Sequence, residues 1–335
     1  MKKPFRILVL RFSSLGDVAL SVPVIMSVLD NNKNVHIHYV TPKFMHDIFP
    51  QHPRLELLDF DKKTKHKGVF GLYGLLQSID LNKYDVIADL HGVLRTKLLT
   101  TASILRGKKV FSIYKDRKNR NNLIQGKNDQ PLRHITEKYA DVFRKMNLKV
   151  DLDHQLKDLL FESKTFSESI GLAPFARHQG KMYPKDKLKK VVEILSKSYP
   201  IIIFGDKHEL ETVKSWRNIE NVSFCEGNNL KEELKIMSRL QLMLSMDSAN
   251  MHLASLVGVP VVSVWGVTHP HAGFLGYGQK MESIIQDETC TWRPTSIYGK
   301  KLGPEENPTG FDDISPEMIV QKIDQICAKL NSNEK

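Results

Sequence analysis

Two rounds of strand–helix alternation, one before about residue 165 and one after it, predict an α/β protein of two doubly wound, parallel-sheet domains. The pattern is clearest from residue 240 to 268. An apolar run short enough for a buried strand opens it. Met251, Leu253, Ala254, Leu256 and Val257 then supply the apolar side chains of a helix, and a β-branched second strand follows Pro260. Gly258 stands where a left-handed residue commonly closes a helix. A length of 335 residues suits two domains of roughly 150 each, and no repeat of fixed period is present.

In chain order, residues 6–10 predict the first strand. A small, Gly-containing loop with Ser13, Ser14, Gly16 and Asp17 follows, then a helix whose apolar face carries Val18, Val22, Ile25 and Leu29. Residues 35–41 and 84–90 read as further strands, and 134–146 as a helix. The second half begins with a strand ending near residues 170–174 and a loop holding Arg177, His178, Lys181 and Tyr183. An amphipathic helix over 185–195 stops before Pro200, and strands over 200–204 and 221–224 precede a helix over 230–240. The last helix, 316–330, starts with Pro at its first position. It presents Met318, Ile319, Ile323, Ile326 and Leu330 as one stripe, so it is expected to pack back on the body of the protein.

Composition narrows the function classes. At 41% hydrophobic residues the chain reads as globular, and no apolar run approaches the roughly 20 residues that span a bilayer. The N-terminal ILVL run is interrupted by Arg11 and suits a strand better than a secretory signal. Three scattered cysteines, Cys225, Cys290 and Cys327, fit a reducing cytoplasm and no zinc cluster. A net charge of +11 points to an anionic partner. The most basic stretch, residues 106–134, lacks clear periodicity and reads as a mobile loop. It suits either a solvated face or a landing site, through residues such as Arg120, for an anionic lipid-linked acceptor or a membrane surface. Nucleic acid fits poorly, because no helix is predicted in this stretch to enter a groove. No G-x-G-x-x-G follows the first strand, which weighs against a dinucleotide oxidoreductase.

The polar residues gather at strand ends. Asp247 and Ser248 stand where a strand meets a helix, whose N-terminal N–H groups can hold a phosphate. Ser248 is a good cap, and His252 lies four residues on, on the same face. The same residues would also serve an ordinary crossover. Asp17 sits at the carboxyl end of the first strand, where open α/β sheets bind ligands; it would equally serve as a helix-starting acid.

The stretch Asp-Ser-Ala-Asn-Met-His-Leu-Ala, with Gly258, Pro260, Gly266, Thr268 and Pro270 after it, resembles the C-terminal signature of glycosyltransferase family 9. That is the family of the ADP-heptose:lipopolysaccharide heptosyltransferases. Its usual form is Asp-Thr/Ser-Gly-x-x-His-Leu-Ala, Gly-x-Pro and Gly-x-Thr-x-Pro; Ala249 replaces the Gly here. Arg-x-Ser-Ser-Leu-Gly-Asp-Val at the N-terminus is similar to the same family's first motif. Asp-Leu-His-Gly-Val-Leu-Arg from Asp89 is similar to its Asp-Leu-Gln-Gly-Leu-x-Lys/Arg pattern, with His91 in place of Gln.

The resemblance, spread over nearly the whole chain, implies the GT-B fold: two Rossmann-like domains facing across a cleft, residues 1–165 for the acceptor and 166–335 for the nucleotide-sugar donor. It implies an inverting, metal-independent transfer from ADP-heptose to a lipopolysaccharide core acceptor. Asp17 would be the general base, with Ser14, Gly16, His91, Arg95 and Arg120 on the acceptor side. Lys181, Glu209, Asp247, Ser248, Ala249 and His252 would hold the donor, with Glu211 close enough to Glu209 to leave the register open. No cofactor is expected. His269 and His271 lack a supporting ligand set, and the stretch 290–299 lacks the further cysteines that relatives often hold there. The expected place is the cytoplasm, with peripheral contact at the inner membrane. Another nucleotide sugar as donor, or a non-catalytic binding protein of the same fold, remain the alternatives.

Overall fold

The computed structural model describes residues 3–161 and 167–333. The chain forms two compact units: residues 1–116 with 135–153, and residues 117–134 with 154–335. The boundary expected between residues 165 and 166 lies outside the described residues.

The first unit holds β1 (Phe5–Leu10), β2 (Val35–Thr41), β3 (Leu55–Asp59), β4 (Val86–Asp89) and β5 (Lys109–Ser112). All pairs are parallel, in the order β3-β2-β1-β4-β5. Parallel strands need crossovers, which here include α1 (Leu15–Ala19), α2 (Val22–Asn31), α3 (Gly68–Ser78) and α4 (Leu94–Ile104). Alternation along β1 sends Leu8 and Leu10 to one face. There they join Leu72, Leu75 and Leu76 of α3 and Leu99 of α4 in one buried cluster.

The second unit begins, in chain order, with α5 (Arg117–Ile124), while α6 (Ile135–Arg144) returns to the first. Its strands are β6 (Ile170–Ala173), β7 (Ile201–Phe204), β8 (Val222–Cys225), β9 (Leu242–Met246), β10 (Val261–Trp265) and β11 (Ile284–Gln286). They pair in parallel in the order β11-β10-β9-β6-β7-β8. Counted from β6, that is the 3-2-1-4-5-6 order of a dinucleotide-type sheet. Helices α7 (Lys185–Leu195), α8 (Lys207–Glu211), α9 (Leu230–Met237) and α10 (Ala249–Leu256) connect them. The C-terminal α11 (Pro316–Asn333) packs on α7, and Ile319, Ile323 and Cys327 enter the core cluster of this unit.

One expectation is corrected here. Residues 106–134 are not one mobile loop: they contain β5 and α5. The sequence of α5, Arg-Lys-Asn-Arg-Asn-Asn-Leu-Ile, shows little apolar period because only Arg120 and Leu123 are buried. Contacts distant in sequence hold it. Leu123 packs with Leu132, Ala272 and Ile297, and the Arg120 guanidinium lies 5.7 Å from the centre of the Phe274 ring.

In each sheet the strand order reverses once, between β1 and β4 and between β6 and β9. Strand ends that flank such a reversal open a crevice, because the connections leave in opposite directions. Asp17 and His91 follow β1 and β4; Lys181 and Asp247 follow β6 and β9.

Candidate functional site

In the first unit, Ser14 is the N-cap residue of α1 and Asp17 lies in its first turn. The Ser14 hydroxyl and backbone N–H donate to Asp17 Oδ2 over 2.6 and 3.2 Å. The sequence thus places a carboxylate above β1 by a local turn. What fixes its charge environment is Arg11, whose guanidinium lies 2.8 Å from the same oxygen. Arg11 is buried, donates to the Leu90 carbonyl over 2.7 Å and sits 5.5 Å from the centre of the Tyr139 ring. Asp17 and Tyr139 help hold its proton, against the cost of burial.

His91 stands beside this pair. Its Nδ1 accepts the Phe12 N–H at 3.4 Å, and its Nε2 is 3.4 Å from the Ser13 hydroxyl. Burial first, then the positive charge of Arg11, pushes its pKa down to about 3, so the imidazole is neutral at physiological pH. The loop that carries it is tied by Asp89, whose Oδ1 accepts the N–H groups of His91 and Gly92 at 2.9 and 2.8 Å. Gly92 has φ +58°, and an added Cβ would lie 3.0 Å from Lys115 Cε. Arg95, one residue into α4, is exposed. The structure thus brings Ser14, Gly16, Asp17 and His91 together around the ends of β1 and β4. Arg120 lies in the other unit, buried, with its Nη1 donating to the Tyr298 hydroxyl at 3.2 Å.

In the second unit, Lys181 Nζ lies 2.8 Å from Asp247 Oδ2, and both side chains are largely buried. The same oxygen accepts from Thr268 Oγ1 at 2.8 Å. Asp247 therefore links the ends of β6, β9 and β10. Gly299, at φ +74°, closes over the lysine stem: a Cβ there would lie 2.6 Å from Lys181 Cδ. Gly266 lets the backbones meet, since a Cβ on it would lie 2.3 Å from the Gly180 carbonyl oxygen. Half-buried Arg293 ties the segment 266–268 down, donating to the carbonyls of Gly266, Thr268 and Asp287.

Ser248 occupies the N-cap position of α10 but its side chain accepts no capping hydrogen bond; its Oγ lies 3.4 Å from Ser245 Oγ. The capping role expected of it is therefore corrected: its extended backbone begins the helix while its hydroxyl turns to Ser245. Asp206 and Asn229, by contrast, cap α8 and α9 through their side chains. Among these three helices, α10 alone begins with first-turn N–H groups that no side chain caps, next to a largely buried lysine. That combination suits a phosphate. His252 is buried in the same helix.

Glu209 accepts the Asp206 N–H at 2.9 Å in a capping box, and burial raises its pKa. Its neighbour Glu211 is exposed and pairs with Lys214 at 2.6 Å, which leaves Glu209 as the better-placed acid. His269 is also held neutral by burial, its pKa pushed down to about 4, and accepts the His271 N–H. Among the described residues no group of three or more His, Cys, Asp or Glu side chains is arranged to hold a metal ion. No helix among them is long and apolar enough to cross a membrane.

Sequence reasoning gave no role to Arg11, Asp89, Thr268, Gly299 or Arg293. Arg11, Asp89 and Thr268 lay inside the motifs already quoted, so the signal was present. Gly299 and Arg293 lay in the stretch 290–299 that also resembles the family, but what they do depends on contacts with residues far away in the chain.

A family model described as glycosyltransferase family 9 (heptosyltransferase) matches residues 72–296, well over half of the chain. Lipopolysaccharide heptosyltransferase 1 of Campylobacter coli is 23% identical, with 78% of this chain and 84% of that protein covered. Lipopolysaccharide core heptosyltransferase OpsX of Haemophilus influenzae is 22% identical, with 80% of each covered. Among solved structures, the family 9 glycosyl transferase from Veillonella parvula aligns with a TM-score of 0.71 at 20% identity, covering 98% of this chain and 99% of that one. The E. coli heptosyltransferase WaaC with ADP gives 0.68 at 14% identity, covering 96% and 100%. These two likenesses show the fold.

Proposed function

This chain belongs to glycosyltransferase family 9, and from that premise we propose that it transfers a heptose from an ADP-heptose donor to a lipopolysaccharide core acceptor, inverting the anomeric centre and needing no metal. The observation that carries the donor half is the Lys181–Asp247 pair beside the uncapped start of α10. A diphosphate placed there meets one largely buried ammonium and a helix N-terminus, two sources of positive potential. Asp247, held by Thr268, keeps Lys181 aimed until the donor arrives. Ser248 and the N–H groups of Ser248 and Ala249 would bind phosphate oxygens, His252 would help orient the donor, and Glu209 would accept the ribose hydroxyls.

The reaction follows from these groups. The acceptor hydroxyl attacks the anomeric carbon, the bond from that carbon to the diphosphate oxygen breaks, and its electron pair leaves with ADP. Asp17 takes the hydroxyl proton. Lys181 and the α10 N-terminus stabilise the charge developing on the leaving diphosphate, the task a metal ion performs in other transferases. Ser14, Gly16, neutral His91 and Arg95 would contact the acceptor, with Arg95 meeting its anionic groups. Arg120 enters through α5, whose buried face it anchors. The first unit is accordingly the acceptor unit and the second the donor unit, working in the cytoplasm at the inner-membrane face.

Calorimetric titration with ADP, UDP, GDP and CMP, first without metal and then with magnesium, tests the donor half. Selective binding of ADP without metal supports it. Selective binding of UDP or GDP keeps the transferase and discards ADP-heptose, and a strict need for magnesium removes the metal-independent step.

A further inference from the structure

The first unit carries apolar side chains on the wrong side of two helices. In α4 the buried positions are Thr96, Leu99, Thr100 and Ser103, mostly small and polar. The opposite face shows Leu94, Leu98 and Leu105 at 75%, 42% and 83% exposure. Their spacing of i, i+4 and i+11 is a single helical stripe. Helix α3 repeats the arrangement. Leu72, Leu75 and Leu76 are buried, while Phe70 is 92% exposed with Val69 and Tyr73 beside it. The buried leucines of α3 and Leu99 of α4 share one cluster, so the two outward faces adjoin on the same side of the sheet. Scattered exposed apolar residues are ordinary, but two adjacent stripes are a patch.

The charge around the patch identifies what covers it. Residues 62–79 contain four lysines and no Asp or Glu; residues 90–115 contain six Lys or Arg and again no Asp or Glu. Lys62, Lys63, Lys65 and Lys67 lie before α3, exposed. Arg95 and Lys97 flank the α4 stripe and are exposed as well. None of these six forms an ion pair among the described residues. Aromatic and leucine side chains framed by unpaired cations match a surface of anionic headgroups over acyl chains.

We propose that the outer faces of α3 and α4 form a docking surface for an anionic phospholipid bilayer, with Phe70, Leu94, Leu98 and Leu105 inserting and the lysines before α3 meeting phosphates. It deepens the proposed reading by placing the bilayer beside the loop that carries His91, from which α4 begins. Docking itself needs neither donor nor acceptor, so it stands or falls apart from the transferase assignment.

The test is co-sedimentation of the full chain with vesicles of phosphatidylcholine alone and of phosphatidylcholine with about 30% phosphatidylglycerol, without sugar substrates, at low and high salt. Wild-type protein is expected on the anionic vesicles only, with binding reduced about tenfold or more at high salt. Phe70→Asp with Leu105→Asp should lose binding by about tenfold or more, while Met318→Ser, at an exposed apolar residue of α11, should not. Circular dichroism and thermal melting confirm that the variants are folded. Equal binding to neutral vesicles, or unchanged binding by the double variant, overturns the proposal. So does a vesicle-free dimer in ultracentrifugation that the double variant dissolves, because a second copy would then own the surface.

Discussion

Replacing Asp17 separates a chemical role from a structural one, because this carboxylate is also the ion-pair partner of a buried guanidinium. Arg11 is 7% exposed and lies 2.8 Å from Asp17. Without it, Arg11 keeps the Leu90 carbonyl and the Tyr139 ring. Removing one member of a buried pair costs about 3–5 kcal/mol. The carboxylate side chain is 20% exposed and one strong acceptor remains, so Asp17→Ala should fall at the low end, about 3 kcal/mol. With about 2–4 °C lost per kcal/mol in a unit of this size, the melting temperature should drop by about 6–12 °C. Arg11→Met added to Asp17→Ala removes the stranded charge and should return about half of that loss or more. Turnover behaves differently. Both variants should lose about 100-fold or more, since neither has the proposed base, and ADP affinity should stay within about threefold. Thermal melting, turnover assays and ADP calorimetry on the three proteins read all of this. A double variant no more stable than the single one refutes the charge argument. Parallel loss of turnover and ADP binding refutes the assignment of Asp17 as base.

Other perturbations follow from the same geometry. His91 titrates near pH 3 when folded against about 6.5 when unfolded. The unfolded chain thus binds the extra proton first, and the contribution of His91, complete above pH 6.5, is lost as pH falls towards 3. Between pH 7 and 5 wild type should lose about 2 kcal/mol more than His91→Gln in denaturant titrations, and a loss of opposite sign defeats the reading. Gly299→Ala would force a Cβ against the Lys181 stem at a left-handed position and should weaken ADP binding about tenfold. Calorimetry in a Lys181→Met background should show little further loss, and full additivity there rules out the route through Lys181. Burial raises the thiols of Cys225 and Cys327 to about 11 and that of Cys290 to about 12. Native protein should therefore resist alkylation at mildly alkaline pH while the unfolded chain reacts at all three, and rapid native labelling contradicts their burial.

The buried parallel strands were the most legible part of the chain. β9 and β10 are nearly unbroken apolar runs, because both faces of such strands are covered. β3, at a sheet edge and half exposed, reads Leu-Glu-Leu-Leu-Asp and gives no such run. α3 hid behind Gly68, Gly71 and Gly74, residues that normally speak against a helix. In the site, Asp17, Lys181 and Asp247 could be chosen because their motifs have fixed local spacing. Arg11 looked like a break in an apolar strand. Its pairing arises only once the turn of α1 brings the chain back over β1. Arg120 looked like one cation in a basic run, and only its contacts with Phe274 and Tyr298, more than 150 residues away, reveal a buried anchor.

In each unit an aspartate stands at or just past the end of the fourth strand, and the two aspartates are employed in opposite ways. Asp89 bends back onto the N–H groups of His91 and Gly92, acting as a built-in anion for its own loop. Asp247 turns to Lys181 and Thr268 and leaves the first turn of α10 to whatever arrives from outside. Negative groups reaching the first unit must then be held by exposed side chains such as Arg95, whose attraction fades within a Debye length of about 8–10 Å. Those reaching the second meet oriented backbone dipoles beside a largely buried ammonium, where screening is weak. One topology used twice thus yields one salt-sensitive grip and one salt-tolerant grip. On the proposed assignment of acceptor and donor, rising ionic strength should loosen the acceptor while leaving the donor in place.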